Sequence, residues 1–305
     1  MSAVQRLSLI SLICQDPERL ACFYESALGF VRSKEKFIGG AALGSLLAIP
    51  DAEAHIIPMA LGEQTIELVN VKPPGRPYPA EVPAWSSLFQ HFAIVVLDMA
   101  AAYAKLTAHK DWHPISGTGP QVLPASSGGV CAFKFRDAEG HPLELLAFPS
   151  GAIPEAWKKA VDHVFLGIDH SAISVADTSQ SVEFYRSLGF QRSGGSLNTG
   201  LAQDSLDNAK GAVVEVTALA PPEEPPHVEL LCYREVSIHS PSVAGINDIA
   251  ATQLVLTAIS FGALHALCAQ DAEAFVSGPV PFEDGVARAI LRDPDGHLLR
   301  LEAPL

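Results

Sequence analysis

The sequence predicts an α+β protein made of four copies of one strand–helix–strands unit. Two observations predict it: a strand with a capped helix recurs from four starting points, and a terminal hairpin motif recurs with it. Residues 9–30, LISLICQDPERLACFYESALGF, and residues 170–190, HSAISVADTSQSVEFYRSLGF, align on an Asp (Asp16, Asp177), a Phe-Tyr pair seven residues further on, and a closing Leu-Gly-Phe. Asp accepts hydrogen bonds from the free N–H groups of a first helical turn, and Gly suits the left-handed residue that ends a helix. Each stretch therefore predicts a β-rich run feeding a helix, with Pro17 favouring the first helical position.

Two weaker copies follow the same spacing. HFAIVVLDMAAAYAKL from His91 places Asp98 seven residues along, and QLVLTAISFGALHAL from Gln253 places Ser260 there. The later half of the unit recurs as FRDAEGHPLELLAF (135–148) and LRDPDGHLLRLEAP (291–304), which share an Arg-Asp-x-x-Gly-His turn leading into a strand. TIELVNV (65–71) and HVELLCY (227–233) are the equivalent last strands of the other two repeats. The proline-rich segments 72–83 and 149–154 read as connectors. SLNTGLAQDSLD (196–207) reads as a plain loop near a turn. One unit of about 80 residues cannot close a core, so the units must pair.

Composition narrows the function. A chain of 305 residues with 48% hydrophobic content supports about two domains, 1–150 and 151–305. A net charge of −14 without a run of Lys or Arg argues against nucleic acid and anionic membrane surfaces as partners. The five cysteines are scattered and lack CxxC spacing, which predicts reduced thiols in a cytoplasmic protein. The apolar run 7–14 is too short to span a bilayer. Nothing in the sequence specifies an oligomeric state.

The Asp-x6-Phe-Tyr helix and the Arg-Asp-x-x-Gly-His-x-x-Glu hairpin resemble the vicinal-oxygen-chelate group, which includes glyoxalase I, methylmalonyl-CoA epimerase, extradiol dioxygenases and bleomycin-resistance proteins. The resemblance covers essentially the whole chain. It implies four βαβββ modules pairing into two cup-shaped mixed β-barrels with helices outside. It also implies two ligand positions per module, one on the first strand and one on the last. Carried over, these are Leu9 and Glu67, His91 and Glu144, His170 and Glu229, then Gln253 and Arg300. Arg300 is chosen because it follows His297 by three residues, as Glu144 follows His141.

Pairing of neighbouring modules would leave two mixed sites. Pairing second with third and first with fourth gathers His91, Glu144, His170 and Glu229 in one cup and Leu9, Glu67, Gln253 and Arg300 in the other. The crossed pairing is the expectation here, with Arg300 neutralising Glu67 in the degraded cup. A lone His on a strand is usually a hydrogen-bonded core residue. Two His and two Glu at equivalent repeat positions instead predict one divalent metal ion, whose charge offsets the carboxylates. The donor types suit nickel, cobalt, iron, manganese or zinc.

Of the other histidines, His141 and His297 read as turn residues, and His109, His113, His163 and His239 as surface. His227 shares a strand face with Glu229. The Phe-Tyr pairs read as helix packing. The resemblance implies a lyase or isomerase acting on a small oxygen-chelating substrate, with Glu144 or Glu229 as base. The alternatives are a catechol-cleaving dioxygenase using His91, His170 and Glu144, and a non-catalytic protein that sequesters hydrophobic ligands.

Overall fold

The computed structural model describes residues 3–160, 163–223, 225–234 and 243–305; His239 lies outside them. The first repeat holds β1 (Val4–Ile13), α1 (Pro17–Leu28), β2 (Val31–Arg32), β3 (Lys36–Ile38), α2 (Ala41–Leu47), β4 (Glu53–Leu61) and β5 (Gln64–Lys72). The second holds β6 (Gln90–Val96), α3 (Met99–Thr107), β7 (Trp112–Pro114), β8 (Gln121–Val122), β9 (Cys131–Asp137) and β10 (Pro142–Ala147). The third holds β11 (Phe165–Ser174), α4 (Thr178–Leu188), β12 (Gln191–Thr199), α5 (Leu201–Leu206), β13 (Val213–Ala220) and β14 (His227–Tyr233). The fourth holds β15 (Gln253–Ala258), α6 (Phe261–Gln270), β16 (Phe275–Pro281), β17 (Val286–Arg292) and β18 (Leu298–Pro304).

The caps explain where the four main helices begin. Asp16, Asp98, Asp177 and Ser260 each accept a hydrogen bond from a backbone N–H two or three residues on. Gly29 and Gly189 close α1 and α4 at φ 75° and 114°, a region a residue with a Cβ rarely adopts.

Within each repeat the first strand pairs parallel with the last. Between repeats, β6 pairs antiparallel with β11, and β1 with β15. The strands thus form two nine-stranded sheets, β12-β13-β14-β11-β6-β10-β9-β7 and β16-β17-β18-β15-β1-β5-β4-β2, with β8 on β9 and β3 on β4. Second and third repeats share one sheet, first and fourth the other. In both sheets the two end strands are unpaired with each other, so each is an open cup and not a closed barrel. In one, α5 fills the gap, touching β12 on one rim and β8 and β9 on the other. The segment 196–207 is accordingly the end of β12 followed by this helix, and not a plain loop.

The repeated motifs tie the two sheets together. Asp137 accepts backbone N–H groups from Glu139, Gly140 and His141, and its other oxygen accepts the Tyr24 hydroxyl at 3.0 Å. Asp293 does the same for Asp295, His297 and, at 3.2 Å, Tyr185. His141 reaches the Ile13 carbonyl and His297 the Ser174 carbonyl, each at 2.9 Å. The hairpin turn of the second repeat is thereby fastened to α1 and β1, and that of the fourth to α4 and β11. His141 and His297 do sit in turns, but both are buried and bonded.

Tyr24→Phe and Tyr185→Phe should each lower unfolding free energy by about 1–3 kcal/mol, since each removes a donor from a buried carboxylate. Their effects should add within about 0.5 kcal/mol in chemical denaturation, the two locks being separate.

The His141 ring has acceptors at both nitrogens, Asp137 at 2.9 Å and the Ile13 carbonyl. Burial opposes its charge, yet Asp137 and the carbonyl together raise its pKa above the ordinary value. A proton favoured by the folded state stabilises fully below the ordinary histidine pKa of about 6.5 and is lost as pH climbs through the raised folded value. The stability gap between wild type and His141→Gln should therefore be widest below about pH 6.5 and narrow at higher pH.

Candidate metal centre

Parallel pairing of first and last strands sets the site. In the second repeat Glu144 lies opposite Ala93, two residues after His91, so both side chains leave the same face of the sheet. In the third, Glu229 lies opposite Ala172, two residues after His170. The register repeats for Glu67 opposite Ser11 and Arg300 opposite Val255. Arg300, and not Glu302, thus occupies the place that Glu144 has in the second repeat.

The antiparallel β6–β11 seam joins the halves. His170 faces Ala93, Ala172 faces His91, and the two imidazole centres stand 5.9 Å apart. His91, Glu144 and His170 bring one donor atom each within 4.8 Å of one another. His91 Nε2 is 2.7 Å from Glu144 Oε2. Glu229 stands slightly apart, its Oε2 being 3.5 Å from His170 Nε2. All four line a cavity of about 170 Å³ with apolar walls that include Leu123, Leu146, Phe148 and Val216.

The structure adds groups the sequence did not reveal. A bulge in β11 inserts Asp169 between Ile168 and His170, so these adjacent residues, Asp169 and His170, both line the cup. Asp169 lies 3.0 Å from His170 Nδ1 and fixes the ring with Nε2 toward the cup. His227 reaches the same group, 3.7 Å from Glu229 and 3.9 Å from Asp169. Lys134, opposite Glu144 on β9, is buried and bonds Asp207 at 2.7 Å. Gln203 and Tyr233 donate to the other oxygen of Asp207 at 2.6 and 2.8 Å.

Electrostatics follow from this packing. Burial and nearby Lys134 lower the His91 pKa and keep that ring neutral, against the pull of Glu144. Burial also opposes protonation of His170, but Glu229, Asp169 and Glu144 together raise it to about 9. For Glu229 burial favours the neutral acid, yet His170 and His227 outweigh it and hold the carboxyl at about 2. Burial acts likewise on Glu144 and is overcome by His91 and Lys134, which lower its pKa. Four carboxylates, Glu144, Asp169, Asp207 and Glu229, thus face the cations Lys134 and His170, leaving two negative charges in excess.

That excess fits a divalent cation. His91 turns its Nε2 toward Glu144 and offers that nitrogen to the same point. Two imidazoles and two carboxylates, one imidazole oriented by a further carboxylate, are a chemically suitable donor set.

The other four carried-over positions meet in the second cup. Arg300 Nη2 is 2.8 Å from Glu67 Oε1, Gln253 is buried, and Leu9 lines the wall. His109 is half-buried, and His113 and His163 are exposed. All five cysteines are free, and among the described residues no helix is long and apolar enough to cross a membrane.

The sequence matches the model of the Glyoxalase/Bleomycin resistance protein/Dioxygenase superfamily over residues 6–145 and 167–301, and the chain belongs to that superfamily. Among solved structures, glyoxalase I from Zea mays is 13% identical and superposes with a TM-score of 0.61, covering 98% of this chain and 92% of its own. A putative dioxygenase from Bacillus subtilis subsp. subtilis str. 168 is 12% identical with a TM-score of 0.60, covering 100% of this chain and 86% of its own. At these identities the likeness is one of fold. No curated protein matches the sequence.

Removing the buried Lys134 cation while Asp207 remains should cost about 3–5 kcal/mol, measured by denaturation of Lys134→Ile. The double variant Lys134→Ile/Asp207→Leu should recover part of that loss, because no uncompensated charge is left behind.

Proposed function

We propose that the chain is a metal-dependent enzyme of the glyoxalase type, an isomerase or lyase for a small oxygen-chelating substrate, working in the cup shared by the second and third repeats. The supporting observation is the convergence of His91, Glu144, His170 and Glu229, from equivalent positions of two repeats, on a cavity with two excess negative charges. Those four would hold one divalent ion of nickel, cobalt, iron, manganese or zinc. When bound, such an ion polarises adjacent oxygens of a substrate and offsets negative charge that develops as a neighbouring carbon loses its proton.

The chain's own residues divide the remaining work. Glu144 is held by His91 at 2.7 Å and is the more buried carboxylate, which suits a fixed ligand. Glu229 is more exposed and held only by contacts of 3.5 Å or more, so its carboxylate has room to move and take a proton. Glu229 is therefore the base in this reading. Ligation requires a neutral His170, and losing that proton removes the main charge that keeps Glu229 acidic. Lys134 sits opposite Glu144 and supplies a fixed positive potential to an anionic substrate group. The apolar walls limit water at the reacting carbon.

A second reading rests on one distance. Only His91, Glu144 and His170 fall within 4.8 Å of one another among these ligands, and two histidines with one carboxylate are the donor set of ferrous oxygenases. That reading makes the chain a ring-cleaving dioxygenase, with Glu229 outside the ligand set.

One experiment separates the two. Metal-loaded protein is incubated in D2O with a panel of α-hydroxycarbonyl compounds and their thiol adducts, and hydrogen exchange at the carbon next to the carbonyl is followed by NMR. The isomerase reading expects exchange that falls by about 10²–10⁴ in Glu229→Gln. Oxygen uptake with catechols by ferrous protein, retained in Glu229→Gln, supports the dioxygenase instead. Neither activity in any metal form contradicts both.

A further inference from the structure

The cup of the first and fourth repeats has only Glu67 among the four positions that carry His and Glu in the other cup, yet it has not been filled. A cavity of about 130 Å³ remains between α2 and the sheet. Repeat symmetry shows how its chemistry has changed. Gly40 and Gly200 precede α2 and α5 with nearly the same backbone angles, φ 84° and 89°, so Leu43 corresponds to Gln203 and Leu47 to Asp207. Ile290 lies opposite Arg300 as Lys134 lies opposite Glu144. Val71 follows Glu67 by four residues, as Tyr233 follows Glu229.

The polar network Lys134–Asp207–Gln203–Tyr233 of one cup is thus replaced, position for position, by Ile290, Leu47, Leu43 and Val71 in the other. All four replacements line the cavity.

The floor is different. Ser11 and Gln253 face each other across the β1–β15 seam and are 1% and 2% exposed. The Ser11 hydroxyl and the Gln253 carbonyl oxygen are buried without a hydrogen-bond partner, and both residues line the cavity. The charges that line the cavity balance, Lys36, Arg288 and Arg300 against Glu67, Asp284 and Glu302, and both arginines are paired: Arg300 with Glu67 and Glu302, Arg288 with Glu302 and Asp284. Apolar walls, balanced charge and an unmet donor–acceptor pair define what would fit. An apolar cavity of about 150 Å³ accommodates a benzene ring, so this one sets a limit near a single ring.

We infer that this second cup is a binding site for a neutral, ring-sized apolar molecule bearing one hydroxyl, whose O–H donates to Gln253 Oε1 and whose oxygen accepts from Ser11.

The test uses the full chain at pH 7 with phenol as the probe and toluene as the apolar control, by calorimetric titration and ligand-observed NMR. Phenol is expected to saturate one site and to bind more tightly than toluene. Gln253→Leu should weaken phenol by about tenfold and leave toluene nearly unchanged, the loss of one buried hydrogen bond. Val71→Phe, which fills the cavity, should abolish both. His170→Ala, in the other cup, should alter neither. No saturable binding of phenol overturns the inference. So does binding that persists in Gln253→Leu and Val71→Phe, or that disappears in His170→Ala.

Discussion

The antiparallel seam between β6 and β11 is the constraint on which the candidate site depends. It brings His91 and His170, 79 positions apart in sequence, into one cup, and its register decides which side chains enter. A slip of one residue along either strand would turn that strand's ligand to the opposite face. The parallel pairs β6–β10 and β11–β14 then place each carboxylate beside its histidine by the same offset. Two local regularities and one seam therefore build the whole constellation.

Interactions outside the cup fasten the repeats in the other direction. Sheets unite second with third and first with fourth repeats, whereas the Tyr–Asp–His locks unite first with second and third with fourth. Every repeat is thus fastened to two others, and the chain closes on itself as a ring of contacts. Burial of Tyr24 and Tyr185 at these locks makes the Phe-Tyr signature a structural one. It explains why the motif recurs in repeats whose cups have diverged.

Much of this was legible in the sequence because it is written in local chemistry. Asp and Ser caps, Gly helix ends and the Arg-Asp-x-x-Gly-His turn each act within a few residues, so the repeats could be read directly, while the βαβββ module and the pairing of repeats came with the family resemblance. The eight candidate positions came from the family resemblance, and the spacing to His141 and His297 served only to choose Arg300 over Glu302. What escaped has a physical reason in each case. Asp169 breaks strand alternation through a bulge, which no pattern of period two reveals. Lys134 on β9, Gln203 and Asp207 on α5 and its C-terminal cap, and Tyr233 on β14 come from three separate elements and meet only in three dimensions. The short helix α5 begins at a glycine with no side-chain cap, so 196–207 read as a loop. In the cup of the second and third repeats, α5 fills the gap where barrel strands would have met.

The two cups show one architecture taken in opposite chemical directions, one gathering carboxylates and imidazoles, the other pairing its charges and lining itself with Leu, Ile and Val. The central claim is that the first of these holds a metal through side chains of both middle repeats. Elemental analysis of protein purified without added metal, comparing wild type with His170→Ala and with Gln253→Ala, tests it most directly. The account predicts about one divalent ion per chain in wild type and Gln253→Ala, and its loss in His170→Ala. Equal metal content in wild type and His170→Ala would contradict it.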